Sequence, residues 1–75
     1  MDMPNVSGGL TWTQIKAGEY ETQGQHAYYR IHHNLTTGMW HVGRRQVPGT
    51  PIVVVHLGNT LKAAKDYVEH REAAL

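Results

Sequence analysis

The run from His26 to His33 alternates, with Ala27, Tyr29 and Ile31 on one side and Tyr28, Arg30 and His32 on the other. That two-residue period is the mark of a half-buried strand. Past Asn34-Leu35-Thr36-Thr37-Gly38, the run Met39 to Arg45 continues as a second strand with Trp40 and Val42 as its apolar positions. Gly38 supplies the positive φ that closes the loop between them. The pair reads as a β-hairpin, which commits the chain to an antiparallel sheet. Register follows from burial, because a one-residue slip exchanges the two faces. Putting Trp40 and Val42 on the Tyr29/Ile31 face requires a four-residue loop, Leu35 to Gly38. Ile31 then lies opposite Val42, His33 opposite Trp40, His32 opposite His41 and Tyr28 opposite Arg45. A three-residue loop, Thr36 to Gly38, would pair His33 with His41 and separate Ile31 from Trp40.

The flanking segments extend this unit. Thr11 to Lys16 is a strand or an irregular packing segment, and Ala17-Gly18 is a turn. Gly18 to Thr22 reads as a strand with Tyr20 inward, ended by Gln23-Gly24-Gln25. Pro48-Gly49 and Pro51 make residues 46–51 a loop. Ile52 to Leu57 is β-branched and apolar, and is expected to be the most buried strand. Gly58-Asn59-Thr60 ends it and starts a helix, with Asn59 or Thr60 as N-cap. Leu61, Ala64, Tyr67, Val68 and Leu75 form that helix's apolar stripe. Its acids sit in the middle and late turns, which the macrodipole does not favour, so they are expected to face the basic sheet edge or a partner. The expected fold is α+β: an antiparallel β-meander of three to four strands covered on one face by a single C-terminal helix. Residues 1–10 read as a flexible leader and residues 11–75 as one domain.

At 75 residues the chain has room for one small core. With no cysteine it has no disulfide framework, thiol nucleophile or Cys-based metal site. The longest apolar run, Ile52 to Val55, is far short of the ~18–20 residues of a membrane span. No basic and apolar signal segment opens the chain, so a cytoplasmic location is expected. Charge is unevenly placed. Between Thr22 and Lys65 there is no acid, while Arg30, Arg44, Arg45, Lys62 and Lys65 are all cationic. Such a segment is either a set of strands that acids avoid or a surface made for anions.

A helix on one face leaves the other face of the sheet bare, which antiparallel sheets permit. That face is expected to carry Tyr28, Arg30, His32, Met39, His41 and Arg45, rings and cations together. These six are the candidate partner-binding residues. Tyr, Arg and Met favour protein interfaces, and the chain's size favours a homo-oligomer. The same rings and cations would suit nucleic acid, by stacking and by phosphate contact, although no nucleic-acid-binding motif is present. Six histidines raise the idea of a metal site or of a pH-sensitive patch in which His32 and His41 repel on protonation. No complete ligand set is apparent, so neither a metal nor a cofactor is expected. No nucleophile has a base beside it: Ser7 falls in the leader, and Glu19 and Glu21 read as ordinary exposed strand positions. No catalytic residue is assigned, and the chain reads as a non-enzyme.

The order Trp12, Gly18-Glu19-Tyr20, Tyr29-Arg30-Ile31, Gly38-Met39-Trp40-His41-Val42 and Thr60-Leu61-Lys62-Ala63-Ala64-Lys65 resembles small proteins of actinobacterial phages and their hosts. Those proteins share a W…GxY…YxI…GxWxV…TLxxAK pattern. The resemblance spans residues 12–72 and rests on packing positions. It implies a phage accessory protein of the bacterial host cytoplasm, with no assigned activity. Together these readings lead to a small protein-binding module that contacts a host protein or itself, and alternatively to a nucleic-acid binder using the same face.

Overall fold

The computed structural model describes residues 5–7 and 9–74. Six strands follow in chain order: β1 (Asn5–Ser7), β2 (Leu10–Lys16), β3 (Glu19–Gln23), β4 (Tyr28–His33), β5 (Trp40–Arg45) and β6 (Val53–Gly58). The helix α1 (Leu61–Ala74) comes last. Each strand pairs antiparallel with its neighbours in sequence, so the sheet is a meander. Five strands, β2 to β6, form its body, and short β1 lies along the outer half of β2. The expected three to four strands were too few for two reasons. Leu10 to Lys16 alternates cleanly only as far as Gln14, because a register shift before Lys16 breaks the period. The stretch read as a leader also contains β1, which pairs Asn5 with Trp12 and Ser7 with Leu10.

The β4–β5 hairpin has the four-residue loop. Ile31 lies opposite Val42, His33 opposite Trp40, His32 opposite His41, and Tyr28 opposite Arg45. Asn34 organises the turn: its Oδ1 accepts the N–H groups of Thr36 at 2.9 Å and Thr37 at 3.2 Å. Gly38, at φ 76°, returns its own N–H to the Asn34 carbonyl at 2.7 Å. An L side chain is strained at that φ.

The helix covers the face carrying Tyr29, Ile31 and Val42, and buries Ala64 and Val68 against it. Thr60 is the N-cap, its Oγ1 accepting the Ala63 N–H at 3.0 Å. Leu61 and Tyr67 pack at the margin, while Leu75, read as part of the same stripe, lies outside the described residues. Trp12 is buried in the core. The Lys65 ammonium lies 5.6 Å from its ring centroid and 5.2 Å from that of Tyr20, closing the gap between α1 and the first strands.

One expectation about burial is overturned. Instead of being the most buried strand, β6 leaves Val53 61%, Val54 54%, Val55 38% and Leu57 50% exposed. Among the described residues it is an outermost strand, flanked on one side only. The helix covers its last turn, where His56 stacks on Tyr67 at 4.2 Å and Gly58 is buried. A bulge sits in its middle: Val54 and His56 pair with the consecutive residues Gly43 and Val42, and Val55 has no opposite.

Candidate protein-binding face

Opposite the helix, strand alternation brings Tyr28, Arg30 and His32 of β4 beside Arg45, Gly43 and His41 of β5. The Arg45 guanidinium lies over the Tyr28 ring, 4.7 Å from its centroid. His32 and His41 meet edge to face at 6.5 Å. Five of the six expected residues therefore form one surface. Met39 does not join it in the ladder: it sits just before β5, where its carbonyl accepts the Asn34 N–H that closes the hairpin.

Two acids also belong to this face. β3 pairs Glu19 with His32 and Glu21 with Arg30, so the acid-free interval of sequence is not an acid-free surface. The Tyr28 hydroxyl donates to the Glu21 carboxylate at 2.6 Å, and Arg30 lies 4.0 Å from the same oxygen. Glu19 takes Lys16 at 2.9 Å and stands 3.8 Å from the His32 ring. Their place follows from alternation about inward-facing Tyr20. The β3–β4 register was the missing step. The Arg30 side chain is 41% exposed, and its buried Nε has no hydrogen-bond partner, so its pairing leaves donor capacity over. The chemistry available here is recognition by rings, a cation and paired carboxylates.

A second polar group ties the covered side together. Glu72, in the last turn of α1, accepts the Tyr29 hydroxyl at 3.1 Å and the His26 backbone N–H at 3.2 Å. Arg44 donates to the Tyr29 oxygen from the other side at 3.3 Å. Gly24 lies against the Glu72 carboxylate so closely that a Cβ there would collide with it. This late acid therefore faces the β3–β4 turn and the Tyr29 hydroxyl, and not the basic sheet edge or a partner expected of it. Arg44, inward by alternation, reaches Tyr29 at the end of its strand.

The histidines mostly have packing duties. His33 stacks on Trp40 at 4.1 Å, His56 on Tyr67, and His70 Nδ1 lies 2.9 Å from the Asp66 carbonyl. No group of three or more His, Asp or Glu side chains among the described residues is placed to hold a metal ion. No helix among them is long and apolar enough to cross a membrane. No family model matches the chain, and no curated protein or solved structure matches it either.

Burial, and then hydrogen bonding to a carboxylate, push both Tyr28 and Tyr29 above the ordinary tyrosine value, with Arg30 and Arg44 opposing. A raised folded value means that the native state holds its proton more tightly than the unfolded chain. The stabilisation is fully present below about pH 10 and is lost as pH rises through the folded values. Absorbance titration at 295 nm is expected to show a late component among the four tyrosines. Tyr28→Phe and Tyr29→Phe should each reduce it. A single ordinary transition for all four would contradict this.

Proposed function

We propose that the chain is a non-enzymatic protein-binding module of phage origin, acting in the bacterial host cytoplasm. Its open sheet face contacts a host protein or another copy of the chain. The observation that carries this reading is the uncovered row of Tyr28, Arg30, His32, His41 and Arg45 with Glu19 and Glu21 set among them. A surface that mixes aromatic, guanidinium and carboxylate groups complements another protein's mixed polar surface. The two carboxylates would stand against a phosphate backbone, which ranks the nucleic-acid reading second.

Expression in the host with an affinity tag is expected to yield a stoichiometric co-purifying protein. Replacing Tyr28 and Arg30 together by alanine should weaken that complex by at least about 30-fold by calorimetry, as loss of central Tyr and Arg contacts does. Cooperative thermal unfolding should be preserved. Recovery of a monomer alone, or a complex indifferent to the two substitutions, would sink the proposal. Retention of single-stranded DNA or RNA at ~50 mM salt, lost steeply by ~200 mM, would put the alternative first.

A further inference from the structure

We infer that β6 is a self-pairing edge through which two copies of the chain join into one continuous sheet. The backbone groups that would pair lie on the outer edge of the strand, although Val54 and Leu57, opposite Gly43 and His41, border the open face. Among the described residues β6 pairs only with β5, so the backbone groups on its outer side form a template for a further strand. Exposed edges are commonly blunted by charge, Lys or Pro. β6 carries no Asp, Glu, Lys or Arg and no proline, and four of its six residues are exposed apolar ones. The opposite edge is blunted: its outermost strand, β1, is only three residues long, and the stretch of β2 beyond it ends on Lys16, which is ion-paired to Glu19.

That difference between the edges selects the occupant. Joining β6 to the far edge would be a head-to-tail contact and would propagate as a filament. Joining β6 to β6 is isologous and closes as a dimer. Antiparallel pairing of the two copies sets the Val53-Val54-Val55 run of one strand along that of the other, apolar against apolar. No like charges meet there, because the strand has no Asp, Glu, Lys or Arg, and the chain's formal charge is only +1. The axis stands normal to the sheet, so both helices lie on the same side and the two open faces become one surface.

The contact is one strand wide, and the bulge at Val55 shortens its regular run. It therefore falls at the small end of interface sizes, below about 1,200 Å² in total, where association is weak and reversible. Sedimentation equilibrium from ~5 to ~500 μM is expected to show a monomer–dimer system with Kd on the order of 10–100 μM. Val53→Lys with Val55→Lys should raise Kd at least about tenfold, since charge on an edge opposes strand addition. Circular dichroism and Tm would establish that the variant is folded. Val53→Lys alone, at the most exposed position of the strand, provides a second test should the double variant not fold.

A wild-type chain that stays monomeric to ~500 μM would overturn the inference, because even weak reversible interfaces are populated there. So would a dimer indifferent to the lysines, or one lost on Tyr28→Ala/Arg30→Ala instead, which would move self-association to the open face. The lysine variants should still capture the host partner. Loss of dimer with that capture intact separates the edge from the face.

Discussion

Replacing Ile31 by alanine is expected to lower stability by about 2–5 kcal/mol, the range for truncating a fully buried branched side chain. Ile31 has no exposed surface and lies at the centre of β4, between Tyr20 of β3 and Val42 of β5. A chain of this length has roughly 4–11 kcal/mol of total stability. The loss is thus a large share of what holds the fold, and Tm should drop by more than about 10 °C. Ile31→Val, which removes one methyl group, should cost only about 0.5–1.5 kcal/mol. Leu35→Ala is the contrast, because Leu35 is 85% exposed in the hairpin loop and should change stability by no more than about 0.5 kcal/mol. Urea unfolding of the three variants checks the order. An Ile31→Ala protein that melts within ~3 °C of wild type, less than about 1 kcal/mol would give, would show that the core is not centred on β4.

Replacing Glu72 by alanine is expected to cost about 1–3 kcal/mol although the residue lies in the last turn of the chain's helix. Its carboxylate is the acceptor for the hydroxyl of fully buried Tyr29 and for the His26 N–H. Removing it leaves the Tyr29 hydroxyl and the His26 N–H without their acceptor, and a buried donor without a partner costs its desolvation energy. Tyr29→Phe removes the same hydrogen bond from the other end. The double variant should therefore lose less than the sum of the two, by about 0.5–3 kcal/mol of coupling. Additivity within ~0.3 kcal/mol would mean that the two groups do not act together.

What could be read directly in the residues was local. The β4–β5 register followed from an alternating pattern, a glycine at the positive-φ position, and the rule that Trp40 and Val42 share a face with Ile31. The helix and its cap were legible for the same reason, since Thr60 and the 61/64/67/68 stripe are features of one continuous segment. What depended on distant neighbours was not legible. Apolarity predicted that β6 would avoid water, but not that the sheet would end there with no further strand or helix beyond it among the described residues. The acid-free interval looked like an acid-free surface only until β3 was laid beside β4, which placed Glu19 and Glu21 among the cations. Glu72 reaches Tyr29 across 43 positions of sequence, a pairing that no spacing rule announces.

Because every strand pairs with its chain neighbours, the ladder can close turn by turn behind the ribosome, with short loops and little entropic delay. Its cover comes last. Tyr29, Ile31 and Val42 face water until the 14 residues of α1 are made and docked. At ~5–20 residues per second their synthesis takes about one to three seconds. A chain stalled before Leu61 would expose nearly its whole apolar interior, so a nascent sheet waiting for its helix is this protein's point of greatest exposure to aggregation and to chaperones.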